Sequence, residues 1–235
     1  MDRELLQISG GSKVMAGAIA RSNASHSGHI LLPSGRHGDR YFDKERLLAE
    51  TGAARHVAAA LDEVVLNATA TAGVDCYVGA HYGGSILAYS ASEHYFDAKG
   101  TIETVSRIPV INHDGKYVIR ESLCSLVEDK RVWIFQDVIR SGQKTAEVVK
   151  YLRCLGCQVL GITTMVSYEA KLTPILAELD VPVIASLYTL SETGCDPGAP
   201  CKGCQNNEPL DARFQNEKSY RFVEYQLGSI DFDTS

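Results

Sequence analysis

Arg131-Val-Trp-Ile-Phe-Gln-Asp-Val-Ile-Arg-Ser-Gly-Gln-Lys-Thr145 runs from an apolar strand through an acid and a small-residue turn into a helix. Val132 to Phe135 are four apolar residues of β-branched and aromatic type, the pattern of a strand buried on both faces of a parallel sheet. Thr145 to Leu152 places Ala146, Val149 and Leu152 on one helical face. Between them Arg140 to Lys144 form the turn. A helix N-terminus carries free N–H groups and partial positive charge, so this turn suits a phosphate; it is equally the ordinary connection of any α/β protein. Asp137 stands at the carboxyl end of the strand, where open α/β sheets bind ligands. The turn is not a Walker loop, because Gln143 and Val138 stand where that motif needs glycine.

Working outward, helical signals cover about Lys13–Arg21, Thr51–Leu66, Gly84–His94, Gln143–Leu155 and Thr173–Leu179. Strand signals cover about Asp75–Val78, Thr101–Ile108, Val132–Phe135, Val159–Val166 and Val183–Tyr188, with short β-like pieces at His29–Leu32 and Arg40–Phe42. The alternation from Thr51 to Tyr188 predicts an α/β fold with a mainly parallel sheet and flanking helices. Thr101–Arg131 interrupts it. The turn signal Asn112-His-Asp-Gly-Lys116 between β-like runs predicts a hairpin or a long mobile loop.

Composition sets the outer bounds. The 235 residues are 45% hydrophobic and 22% charged, ordinary for a soluble domain. A net charge of −6 argues against a general nucleic-acid or anionic-membrane binder. No apolar run approaches a membrane span, and the first residues lack a signal peptide's apolar core, so a cytoplasmic location is expected. Seven cysteines in a reducing compartment are thiols or metal ligands before they are disulfides. Cys76, Cys124, Cys154 and Cys157 lie in apolar surroundings and read as buried, inert thiols. Cys195, Cys201 and Cys204 lie in a Gly- and Pro-rich stretch, where they form part of a zinc site, stay free thiols or close a disulfide. A tetrahedral site needs a fourth ligand: Asp196, a histidine, another subunit's residue or water.

Four segments together resemble the type I phosphoribosyltransferase family, most closely its orotate phosphoribosyltransferase-like members. Gly28-His-Ile-Leu-Leu-Pro-Ser-Gly-Arg-His-Gly-Asp-Arg-Tyr-Phe-Asp-Lys44 resembles the family's N-terminal hood. Val78-Gly-Ala-His-Tyr-Gly-Gly-Ser-Ile-Leu-Ala88 is similar to its pyrophosphate loop, and the opening stretch to its diphosphoribose signature. Cys201-Lys-Gly-Cys-Gln-Asn-Asn-Glu-Pro-Leu210 looks like a tail found in one branch. The resemblance implies one domain over 1–235: a hood to about 48, a core over about 49–190 and a Cys-containing extension over about 191–235.

It also implies a reaction. Phosphoribosyl diphosphate, held with Mg²⁺, passes its ribosyl 5-phosphate to a ring nitrogen of a small heterocyclic base (orotate or a relative), releasing pyrophosphate. Asp137 would face a ribose hydroxyl with Gln136 beside it, and Lys116 would neutralise the leaving diphosphate. Ala80, His81, Tyr82, Gly83 and Gly84 would line the pyrophosphate, the glycines allowing close backbone approach. Arg140, Ser141, Gly142, Gln143, Lys144 and Thr145 would hold the 5-phosphate. Arg36, His37, Tyr41 and Lys44 would be hood contacts, and Tyr168 would lie on the base side. A homodimer is implied by a loop that reaches the neighbouring site. The chain departs from the family pattern at several points, among them the phosphate turn Arg140–Lys144 and the loop around His113–Lys116. Gln136 replaces the first of two adjacent acids, His37 replaces a hood lysine, and Tyr168 replaces an arginine expected near an orotate carboxylate. These departures leave a second expectation standing: a non-catalytic phosphoribosyl- or nucleotide-binding module serving as a sensor or complex subunit.

Overall fold

The Val132–Phe135 run becomes the interior of β7 (Arg131–Ile139), and its side chains alternate between two helical layers. Val132 and Ile134 join the cluster of Ala146, Val149, Leu152, Leu176 and Leu179. Trp133 and Phe135 join the cluster of Met15, Val57, Leu61, Leu87 and Leu187. All four side chains are fully buried. The computed structural model describes residues 5–32, 35–69, 73–99, 106–168, 173–190 and 201–214.

In chain order the elements are β1 (Leu6–Gln7), α1 (Gly11–Ser22), β2 (Ser25–Leu31), β3 (His37–Phe42), α2 (Lys44–Ala49), α3 (Thr51–Ala68), β4 (Cys76–Ala80) and α4 (His81–Lys99). There follow β5 (Ser106–His113), β6 (Lys116–Val118), α5 (Glu121–Cys124), β7, α6 (Gln143–Cys154), β8 (Gln158–Ser167), α7 (Pro174–Ala177), β9 (Val183–Thr189) and α8 (Lys202–Gln205). The main sheet has seven strands in the order β1-β9-β8-β7-β4-β5-β6. The pairs β1–β9, β4–β5, β4–β7, β7–β8 and β8–β9 are parallel, and β5–β6 is antiparallel. The expected α/β fold with a mainly parallel sheet and flanking helices is therefore present.

The alternative left open at Asn112–Lys116 resolves as a tight hairpin. Asp114 (φ 49°) and Gly115 (φ 80°) both take left-handed backbone, as a two-residue turn between twisted strands requires, and His113 pairs with Lys116. The Asn112 carboxamide oxygen accepts the Gly115 N–H at 3.2 Å. The strand placed near Thr101–Ile108 runs later, over Ser106–His113; residues 101–105 lie outside the described residues. Two thiols are not buried as expected: Cys154, the last residue of α6, is exposed and Cys124 half-exposed, whereas Cys76 and Cys157 are buried.

The chain divides into two compact units, Met1–His26 with Phe42–Glu192 and Ser27–Tyr41 with Thr193–Ser235. The first holds the seven-stranded sheet and both helical layers. Helices α1 and α2, read from sequence as hood, contribute Met15, Ala18, Leu47 and Leu48 to its core. In the second unit Ile30 and Asp211 form a parallel bridge, and the Leu31 N–H donates to the Asp211 carbonyl at 2.9 Å.

Candidate active site

The carboxyl ends of β4 and β7 bring together Asp137, His81 and the glycines that open α4. Period-two alternation puts Asp137 on the α4 side of β7 and Gln136 on the α6 side. Asp137 Oδ2 accepts from Lys44 Nζ at 3.0 Å, and Oδ1 accepts from the Val138 N–H at 2.8 Å. Both members of this ion pair are largely sheltered, at 28% and 13% side-chain exposure, so solvent screens it less than a surface pair. Lys44, expected as a hood contact, thus belongs to the sheet-bearing unit and sits on the acid.

Gly83 and Gly84 are required by packing as well as by any ligand. A side chain at Gly83 would run into the Asp137 carboxylate, and one at Gly84 into the Phe135 carbonyl oxygen. The helix therefore approaches β7 with no room for a Cβ. His81 begins α4 at φ 61°, a conformation that costs a side-chain-bearing residue energy and is held by its surroundings. Its Nε2 lies 3.1 Å from the Tyr117 hydroxyl. Tyr117, a residue that sequence reasoning passed over, is buried on the hairpin strand β6 and had only its place beside Lys116 as a signal. Lys116 itself is exposed at the hairpin turn, and Tyr82 is 74% exposed.

Burial lowers the His81 imidazole below its ordinary pKa; Lys144 and Lys44 add to this and Asp137 opposes it. A base with a depressed folded pKa binds fewer protons folded than unfolded. Its contribution to stability is complete above the unfolded value, about 6.5, and is lost as pH falls. Urea midpoints for His81→Asn at about pH 7.5 and about pH 5.5 should therefore lie closer together than those of the wild type. Equal spacing in the two proteins would remove His81 as the cause.

On the other face of β7, Gln136 is buried at 4% exposure, and its Oε1 accepts the Thr145 hydroxyl at 2.8 Å. The side chains of Gln136 and Thr145, expected at a ribose and a phosphate, satisfy each other beneath α6. The turn above them is Arg140, Ser141 and Gly142. Gly142 caps α6 at φ 81°, and a Cβ there would meet Leu176. The Thr173 hydroxyl donates to the Ser141 carbonyl at 2.9 Å, and the Gln143 carboxamide donates to Glu147 at 2.8 Å. Arg140 lies over the Tyr168 ring at 4.2 Å, with Nη2 3.2 Å from the hydroxyl. The position where the resemblance expects an arginine thus carries a tyrosine with an arginine stacked on it. Lys144 is exposed in the first turn of α6, and Ala80 is the buried last residue of β4.

The second unit has its own constellation. His29, His37, Cys201 and Cys204 bring their ligand atoms within 4.8 Å of one another. His37, read from sequence as a hood contact to substrate, places its Nδ1 3.2 Å from Cys204 Sγ and 3.2 Å from His29 Nε2. His29 was missed; a histidine had been expected only as an unnamed fourth partner of the cysteines. Cys195 lies outside the described residues. In the same unit Tyr41 stacks on Phe214 at 4.3 Å, and the Arg36 carbonyl accepts the Leu32 N–H at 2.8 Å.

No family model matches the chain. Curated relatives do. An orotate phosphoribosyltransferase of Desulforamulus reducens is 25% identical over 185 residues, covering 77% of this chain and 90% of that one. One of Chlorobium phaeobacteroides is 28% identical over 196 residues, covering 81% and 89%. Among solved structures, Mycobacterium tuberculosis orotate phosphoribosyltransferase in complex with 5-phospho-α-D-ribosyl 1-diphosphate superposes with a TM-score of 0.53 at 17% identity, covering 77% of this chain and 96% of that one. Among the described residues, no helix is long and apolar enough to cross a membrane.

Proposed function

Since the chain is an orotate phosphoribosyltransferase-like member of the type I phosphoribosyltransferase family, we propose that it binds phosphoribosyl diphosphate at the carboxyl ends of β4 and β7. There it transfers the ribosyl 5-phosphate to a nitrogen heterocycle. The observation that carries this reading is Asp137, held at 3.0 Å from Lys44 beside the tightly packed Gly83 and three residues before the Arg140–Gly142 turn. An acid and a cation side by side suit a ligand with both hydroxyl donors and negative phosphates.

Each residue then has a physical task. Asp137 accepts from a ribose hydroxyl and stabilises the positive charge that develops on the sugar ring as its bond to diphosphate stretches. Lys44 exchanges its hold on Asp137 for a diphosphate oxygen. The Arg140–Gly142 turn and the N-terminus of α6 bind the 5-phosphate. Arg140, carried by Tyr168, brings a cation to the end of β8 and so permits an anionic base even without an arginine at 168. Mg²⁺ fits this donor set only sparsely. Asp137 is one carboxylate with a lysine already on it, so the ion would be held mainly by the diphosphate and water, with Asp137 as its protein-side neighbour. Such an ion would neutralise the leaving group. Lys116, exposed on the β5–β6 hairpin, would do so from outside.

A second reading has its own support. With Gln136 turned under α6, the site offers one acid at this strand end where the family pattern has two, which favours a phosphoribosyl-binding module without turnover. One experiment separates the readings: protein, Mg²⁺ and phosphoribosyl diphosphate are mixed with a panel of pyrimidines, purines and other heterocycles, and released pyrophosphate is measured. A competent base should give release that Asp137→Asn abolishes. Binding of phosphoribosyl diphosphate should weaken at least several-fold in that variant, since a hydrogen bond to a charged group contributes about 1.5–3 kcal/mol. Binding without release across the panel selects the module. Unchanged binding in Asp137→Asn rejects the site.

A further inference from the structure

We propose that the second unit is built around a structural zinc ion held by His29 Nε2, His37 Nδ1, Cys201 Sγ and Cys204 Sγ. The nitrogen–nitrogen and nitrogen–sulfur distances are those of a tetrahedral shell. With Zn–S near 2.3 Å and Zn–N near 2.0–2.1 Å, two nitrogens should lie about 3.3 Å apart, and a nitrogen and a sulfur about 3.6 Å apart. The two nitrogens are 3.2 Å apart. The nitrogen–sulfur distances are 3.3 and 3.5 Å from His29, and 3.2 and 4.0 Å from His37.

Hydrogen bonding among these groups does not account for the cluster. The Glu208 carbonyl can only accept, so His29 Nδ1–H donates to it at 2.9 Å, and in the neutral ring Nε2 then carries a single lone pair. Three partners converge on that lone pair, and a lone pair accepts one hydrogen. Four atoms directed at a common centre are what a cation needs. The carbonyl behind His29 also provides the usual orienting partner of a metal-bound imidazole.

The surrounding chain is shaped for the same purpose. Helix α8 puts Cys201 and Cys204 on one turn, and the Cys204 N–H donates to Cys201 Sγ at 3.3 Å, which favours a thiolate. Gly203 between them lets the His29 ring come close: a Cβ there would lie 2.5 Å from its Cγ. The donor set of two thiolates and two imidazoles closes a four-coordinate shell and leaves no position for a substrate, the mark of a structural site. Thiolates exclude Mg²⁺ and Ca²⁺, and a closed tetrahedral S₂N₂ set selects Zn²⁺. The ion would join β2 and β3 to a segment 164 to 175 positions away in sequence, with the Leu31–Asp211 and Asp211–His29 backbone bonds beside it. Because the unfolded chain holds no such site, binding is folding energy for this unit.

The test uses the full chain, purified reduced and without chelator, and needs no catalysis. Elemental analysis should give about one zinc per chain, and Cys201→Ser, Cys204→Ser, His29→Ala and His37→Ala should each fall below about a tenth of that. His37→Cys should keep the metal, since three thiolates and one imidazole close the same shell. Titration of the metal-free protein with Co²⁺ should give the intense visible absorption of a tetrahedral thiolate complex. Metal removal should raise hydrogen exchange at Leu31, Leu32 and Asp211 while the amides of β7 and β8 stay protected, which shows that loss is local. Less than about a tenth of an equivalent of metal in the wild type with no tetrahedral Co²⁺ spectrum, or metal retained at full level in His29→Ala and His37→Ala, would overturn the assignment. Neither result depends on whether the protein turns over phosphoribosyl diphosphate.

Discussion

Gln136→Glu should destabilise the protein by about 2–4 kcal/mol at neutral pH. It should not create the acid pair that the family signature carries. The Gln136 side chain is buried beneath α6 and accepts from Thr145. A glutamate there keeps that bond but must either ionise in an apolar layer or take up a proton. Burial of a carboxylate shifts its pKa upward by as much as 3–5 units, at about 1.4 kcal/mol per unit. The N-terminus of α6 offsets part of this, about 1–2 kcal/mol at most. The introduced acid has a folded pKa above its unfolded value near about 4.3. The penalty is therefore full above the folded pKa and vanishes as pH falls below the unfolded one. Urea midpoints of wild type and variant should diverge at about pH 7.5 and converge toward about pH 4. Equal stability at neutral pH, or a gain in pyrophosphate release, would place the side chain in the ligand site and refute the buried assignment.

Gly84→Val should cost several kcal/mol of stability, at the upper end of the roughly 1–3 kcal/mol usual for overpacking, because the atom in the way is backbone. A Cβ at that position meets the Phe135 carbonyl, and β7 lies between two filled helical layers and cannot retreat. Gly83→Ala should behave differently. Its Cβ meets the Asp137 side chain, the carboxylate and the Cβ alike, so the carboxylate must turn away from Lys44 and α4 must also draw back slightly from β7. The expected result is a stability loss accompanied by phosphoribosyl diphosphate binding weakened about tenfold or more, as for other charge-assisted contacts. Thermal denaturation paired with calorimetry distinguishes the two variants. A Gly83→Ala protein that binds as tightly as wild type would show that Asp137 does not face the ligand.

The sequence by itself determined the architecture of the sheet-bearing unit. The Val132–Phe135 run, its exit through Asp137 into Arg140–Gly142, and the alternation of helices and apolar strands are local patterns. Each is enforced by backbone periodicity and by the need to bury both faces of a parallel strand. That periodicity also held a fact left unread: Gln136 and Asp137 are adjacent in a strand and so face opposite layers, whatever the signature they resemble. Other features were decided only by the tertiary structure. Lys44 meets Asp137 across 93 positions, and His29 meets Cys201 across 172. No local propensity encodes such a pair. A contact of this kind exists because the chain path returns two short segments to one place, and the free energy that keeps it is gained only after the entropy of closing the long loop has been lost. The hood motif looked like a row of substrate contacts when read in line. Folded, it divides: Lys44 goes to the acid at the strand end, and His29 and His37 turn to the cysteines, because side-chain direction and not sequence order chooses the partner.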